Sequence, residues 1–289
     1  MSSPAVADKP LSVRSLQQPR IRALVVPREH GAWGLLLVPL FSGAAVGVVS
    51  TARAWPLILF TIAALALFWL RTPVESLLGT TPLSAHTSAE RRTALLASVG
   101  LAAVSAGCLA ALFWRGRNRG LLLLGGIAAF AFIAQTLLMK FGRSLRMTAQ
   151  MLGAIGLTCT APAAYYAATG RLDARAWILW SANWIFAGDQ IHFVQLRIHA
   201  ARAATRAEKL RRGRLFLLGQ ILLLPILAAA AYWRLMPALV IIAFIPGLIR
   251  GFYWFISEQK PLQVKSLGWS EMRQGVLFGI LLAAAIIFS

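Results

Sequence analysis

Asp189, His192, Gln195 and His199 set a carboxylate, two imidazoles and an amide three or four residues apart, the spacing that brings side chains together along a helix. A carboxylate one turn from an imidazole can orient it as a general acid or base, pass it a proton, or pair with a cation. The series runs on through Arg202 and Arg206 into a basic segment, so a helix here carries a polar stripe that descends towards cations. Its surroundings are apolar, and an ionisable group inside a membrane helix costs about 2.5 to 3.5 kcal/mol on insertion scales. Asp189 must therefore face protein or water, either pairing with an arginine to hold helices together or serving a ligand or proton. Asp189 and His192 can share one metal ion, but His192 and His199 stand two turns apart, about 10 Å along the axis. No metal is assigned.

A second group lies at Pro27, Arg28, Glu29, His30, Gly31, Trp33, Gly34 and Pro39. Proline and glutamate suit the first turn of a helix, and His30 and Trp33 fall on one face of it. Gly31 and Gly34 leave room for a neighbouring backbone or a ligand. The alternative is an interfacial anchor, with Trp33 in the aromatic belt and Arg28 on lipid headgroups. Tyr253, Trp254 and Trp269 also read as belt residues.

The elements that must hold these groups follow from composition. Hydrophobic residues make up 58% of the 289, yet the formal net charge is +20. So much apolar surface calls for lipid as solvent. Apolar runs at 31–49, 54–70, 94–114, 120–139, 148–169, 176–196, 215–233, 235–255 and 274–288 alternate with short basic loops. The expected fold is an all-α, polytopic transmembrane helical bundle of about nine spans. Most of the 29 basic residues then fall on one side, which places the N-terminus in the cytoplasm and the C-terminus outside. On this count Arg250 belongs to the eighth loop. The net charge reflects topology and attraction to anionic lipid, so no nucleic-acid partner is expected. Residues 1–26 read as a disordered cytoplasmic tail and residues 27–289 as one transmembrane helical domain. Ser88 is the expected cap of the third helix, Arg71 and Glu75 the expected i,i+4 pair, and 206–214 a solvated, lipid-facing basic segment. Cys108 and Cys159 lie within apolar runs and imply neither a disulfide nor a metal framework.

The stretch PREHGAWGLLLVP, Pro27 to Pro39, resembles the opening signature of the YwiC-like family of bacterial membrane proteins. The run from Gly188 through Gln195, Arg197 and His199 to Arg202 is similar to a second signature of that family. The layout also resembles the UbiA superfamily of intramembrane prenyltransferases, with long cytoplasmic loops after the second and sixth helices. That resemblance implies Asp-rich motifs holding a magnesium diphosphate, but the corresponding regions offer only Glu75 and Glu90, then Asp189 and Glu208. What it implies here is a UbiA-like, lipid-accessible cavity without the magnesium site and without a cofactor.

These readings converge on an inner-membrane, multi-pass protein whose partner is membrane lipid, an isoprenoid or another amphipathic ligand with an anionic head. His30, Asp189 and His192 are the candidate catalytic groups, and Arg28, Trp33, Arg71, Gln195, Arg197, His199 and Arg202 the candidate ligand-binding ones. The alternatives are a secondary transporter with Asp189 as coupling carboxylate and breaks at Pro39, Pro162 and Gly247, or a noncatalytic accessory protein.

Overall fold

The computed structural model describes residues 23–27, 30–51, 54–79, 84–142, 145–201, 203, 205–258 and 262–289. Among these residues there are ten helices of ten residues or more and no strand. They are α1 (His30–Thr51), α2 (Ala54–Leu78), α3 (Ser88–Trp114), α4 (Asn118–Lys140) and α5 (Arg146–Thr158). The others are α6 (Thr160–Thr169), α7 (Ala174–His199), α8 (Arg206–Tyr232), α9 (Val240–Ile256) and α10 (Val264–Ile287). Six of them, α1 to α4, α8 and α10, are long and apolar enough to cross a membrane. The large apolar side chains they leave exposed, such as Phe130 and Ile133 on α4 and Leu215 and Ile221 on α8, have no aqueous role. The chain is an all-helical, multi-pass integral membrane protein.

The apolar runs reappear as helices, with informative differences at their ends. The fifth run is split at Cys159, between α5 and α6. Pro162 lacks the N–H that would bond the Thr158 carbonyl. The Thr160 hydroxyl spans the split, donating to Leu157 O at 2.7 Å and across to Leu36 O on α1 at 3.3 Å. α3 does begin at Ser88, but its cap is Thr87. The Thr87 hydroxyl accepts from Glu90 N, and the Glu90 carboxylate accepts from His86 N and Thr87 N. The true capping box thus starts one residue before the expected one. α8 starts at Arg206 under a second such box, made by Thr205 and Glu208, so the basic run 206–214 is helix from its first residue.

The chain divides into two compact units. Of the described residues, one holds those within 62–110 together with 23–27; the other holds those within 30–61 and 111–289. In the first unit, Trp69 Nε1 donates to Val25 O at 2.7 Å, and Arg71 pairs with Glu75 at 2.7 Å as its spacing predicts. In the second, α1 packs on α6 and α10, α4 on α5, and α7 on α5 and α6, while α9 packs on α8 and α10. The tightest approach is at Gly43, where any added side-chain carbon would run into the Ala161 carbonyl of α6. Gly31, by contrast, faces open space, and Gly34 merely touches Met272.

Candidate functional site

Four helices of the second unit bring polar side chains together between two apolar clusters. On α7, Asp189 lies between Phe186 and Phe193; on α8, Gln220 lies between Phe216 and Leu227. On α9, Arg250 separates Leu248 from Trp254, and on α10 Glu271 separates Leu267 from Phe278. Phe186, Leu227, Leu248 and Phe278 belong to one cluster, and Phe193, Phe216, Trp254 and Leu267 to the other. The polar residues therefore form a layer closed above and below by packed rings and aliphatic chains. Phe186 stacks on Phe278 at 3.9 Å on one side, and Phe193 meets Phe216 at 5.6 Å on the other.

Arg250 is the centre of this layer. Its Nη2 donates to Asp189 Oδ2 at 2.8 Å, and its Nη1 donates to Glu271 Oε2. The three side chains are only 10 to 11% exposed. Gln220 Nε2 donates to Asp189 Oδ1, and Gln190 Nε2 donates to the Glu271 carbonyl at 2.8 Å. The Arg250 guanidinium also lies 4.2 Å from the Phe193 ring centre. One glycine makes the approach possible: a Cβ at Gly251 would sit 2.7 Å from Gln220 Oε1, whereas one at Gly247 would make only ordinary contact with Asp189 Oδ2, at 3.7 Å. Arg250 is thus a buried helical residue and not a loop charge, since α9 continues to Ile256. A pair of ions removed from water repays its desolvation only with good geometry and further hydrogen bonds, which the fork of Arg250 and the amide of Gln220 provide.

The polar stripe expected on one face of α7 winds round the helix. Steps of three residues fall short of a full turn by about 60° each, so Asp189 and Gln195 end on different sides. Gln195 Nε2 turns to Gln150 Oε1 of α5 at 3.0 Å, away from the α8–α10 side that Asp189 meets. His192 is half-buried and edge-on to Phe216 at 5.3 Å. His199 is exposed, with Nδ1 2.7 Å from the Gln195 carbonyl oxygen. Arg197 is half-buried 5.9 Å from the Phe193 ring centre, within electrostatic reach of Glu271. Trp33 is half-buried on α1, and Arg71 sits with Glu75 in the other unit. Arg28, Arg202 and the His30 side chain lie outside the described residues. Of the expected belt residues Tyr253 and Trp269 are exposed, but Trp254 is buried beneath Lys209, whose Nζ lies 5.2 Å from its ring centre and donates to Ser257 O at 2.7 Å.

Residues 26–165 match the model of the family described as YwiC-like protein. That stretch of the chain is YwiC-like. It covers just under half of the 289 residues and includes the Pro27–Pro39 signature. The polar layer lies beyond that match, and so does the Gly188–Arg202 run, whose expected likeness to the family the match does not reach. No curated protein and no solved structure matches the chain.

Sequence reasoning reached Asp189 because a lone carboxylate in an apolar run stands out. It missed Glu271 and Gln220, and it placed Arg250 in a loop. The available signal was pairing: two carboxylates and an arginine at the edges of separate apolar runs can be hidden from lipid only by meeting one another.

Proposed function

We propose that this YwiC-like membrane protein moves a polar solute across the bacterial inner membrane, with Asp189 as its coupling carboxylate. The N-terminus is cytoplasmic and the C-terminus outside in this reading, because basic residues concentrate on the N-terminal side of the count. The observation that carries it is the sharing of Arg250 by Asp189 and Glu271, from three different helices, within a layer shut off on both sides. A charged layer serving only to fasten helices would leave few valences open, yet several buried polar atoms here have no partner. Prolines inside α8 and α9, at Pro225 and Pro246, further support helices that bend about this layer. The decisive measurement is solid-supported-membrane electrophysiology on proteoliposomes challenged with a panel of sugars, amino acids, organic anions and inorganic cations. Wild-type protein gives a solute-dependent current that Asp189→Asn abolishes; silence across the panel, or a current indifferent to that substitution, rules the reading out.

One observation favours a second reading, in which an amphipathic or isoprenoid-type lipid rests its anionic head near the layer. Arg250 is already neutralised by two carboxylates, but Arg197 is half-buried and holds no carboxylate directly among the described residues. Native mass spectrometry that finds a retained anionic lipid, lost in Arg197→Gln, together with no solute current, would favour this reading over transport.

A further inference from the structure

We propose that five arginines at the turns between α3 and α4 and between α6 and α7 bind the headgroup of an anionic phospholipid, one that carries two phosphates. The site goes beyond the transport reading and does not depend on it. Arg175 lies at the start of α7 and Arg197 near its end, 22 residues or about 33 Å apart along the helix, so this is not the lipid contact considered at Arg197.

Two glycines bring the turns together. Gly170 ends α6 in the left-handed conformation, at φ +76°, and having no side chain it lets the Arg117 guanidinium lie against its backbone; an added side-chain carbon would run into Arg117 Nη1. Arg117 Nη2 also donates to Ala168 O at 3.5 Å. Gly120 takes the Tyr166 ring in the same way, so the first turn of α4 is keyed to the last turn of α6. Arg115 and Arg119 flank Arg117 two residues away on either side, and Arg171 follows Gly170 directly. Arg171 and Arg175 are both within electrostatic reach of the Tyr165 hydroxyl. The cations therefore gather round one end of α6, with Arg117 half-buried and the other four exposed.

Charge and depth select the ligand. Asp173 is the only acidic residue between Glu90 and Asp189, and its oxygens are engaged: Oδ1 accepts from Arg175 N and Ala176 N to cap α7, and Oδ2 accepts from the Tyr165 hydroxyl at 2.9 Å. Five guanidiniums against one carboxylate attract an anion, and a guanidinium fits phosphate oxygens two at a time. The adjoining surface says which phosphate. Trp114, 94% exposed, precedes Arg115, and the exposed Trp177 stands two residues past Arg175, so the arginines share the level of an aromatic belt. Leu122 and Leu123, also exposed, follow Arg119 by one turn of α4 and offer acyl chains an apolar face beside the cations. A free phosphate compound would use the arginines and leave that apolar rim without a role, whereas a phospholipid uses both. Five cations spread over two turns exceed what one phosphodiester neutralises, which favours a lipid with two. In the proposed topology these turns face away from the cytoplasm, so the lipid belongs to the outer leaflet.

The test is lipid titration of the full-length, delipidated protein in detergent, read by native mass spectrometry, with tetraoleoyl cardiolipin, dioleoylphosphatidylglycerol and dioleoylphosphatidylcholine as probes. Cardiolipin is expected to bind roughly tenfold more tightly than phosphatidylcholine, with phosphatidylglycerol between them. The double variant Arg171→Gln, Arg175→Gln alters two exposed side chains, so it keeps the wild-type unfolding midpoint, and it weakens the tightest cardiolipin site by roughly tenfold. The double variant Arg211→Gln, Arg214→Gln removes the same charge from the basic start of α8 and leaves that site unchanged, as does Arg197→Gln. Equal binding of the three lipids, or equal losses in the two double variants, would mean unspecific attraction between a basic protein and anions, and the inference falls. Wild-type cardiolipin binding in Arg171→Gln, Arg175→Gln, or loss of the tightest site in Arg197→Gln alone, overturns it by placing the lipid elsewhere. Inorganic pyrophosphate that binds as tightly as cardiolipin overturns it too, since the ligand is then a free phosphate compound.

Discussion

The guanidinium of Arg250 gives one terminal nitrogen to Asp189 on α7 and the other to Glu271 on α10, so a single side chain neutralises parts of two helices. Removing it is worse than removing all three charges. Arg250→Met leaves two carboxylates facing each other out of water, and breaking such a pair costs about 3 to 5 kcal/mol. The triple variant Asp189→Asn, Arg250→Met, Glu271→Gln has no buried charge left to strand. Thermal unfolding in detergent should show a large drop for Arg250→Met and recovery of most of it in the triple variant. A neutral Arg250→Met would mean the carboxylates find water, and the layer is not dry. This dependence was half legible in the sequence. Asp189 announced itself by standing alone in an apolar run, and the arginine partner was foreseen as a class. Its identity was hidden, because Gly247, Arg250 and Gly251 read as the exit of a span. Glu271 was hidden for a similar reason: α10 begins at Val264, ten residues ahead of the apolar run that marked it.

Helix ends show the same limit at the next scale. Hydropathy locates the middle of a membrane helix and says nothing of the polar turns that extend it, which are fixed by caps. α2 continues through Arg71, Pro73 and Glu75 to Leu78, and α8 begins at Arg206, both outside the apolar runs. At the start of α3 the choice between neighbouring residues is testable. Thr87→Ala removes the hydroxyl that accepts from Glu90 N and should cost about 1 kcal/mol, whereas Ser88→Ala should cost almost nothing. Comparing the midpoints of the two variants decides it, and the reverse order would return the cap to Ser88. The split between α5 and α6 was foreseen only as a proline at 162, since the hydroxyl bridge from Thr160 to Leu36 depends on α1 being beside it. That contact requires Gly43, and its partner on α6 is 118 positions further along the chain, beyond any local pattern.

At the scale of the whole chain, periodicity and hydropathy were enough for an all-helical membrane protein, because length and apolarity are local quantities. Sidedness is a different kind of quantity, a sum over loops, and α8 isolates it. Its first three turns carry Arg206, Lys209, Arg211, Arg212 and Arg214, while the turn beyond its other end carries Arg234 alone. Lys209 is spent inside the protein on the Trp254 and Ser257 carbonyls, so in the proposed topology it is the four arginines that put this end of α8 on the cytoplasmic side. At 1.5 Å per residue a helix of 27 residues spans about 40 Å, so its ends cannot share a side of the bilayer if it crosses. Single cysteines placed by Arg206→Cys and Leu235→Cys, in a background where Cys108 and Cys159 are alanine, report this directly with a membrane-impermeant maleimide on intact cells. Residue 235 should label at once and residue 206 only after permeabilisation. The opposite order would invert the topology and send the arginines outward against the field of anionic lipid; labelling of both would mean that α8 lies along the surface, with its exposed leucines and isoleucines in the interface instead of the bilayer core.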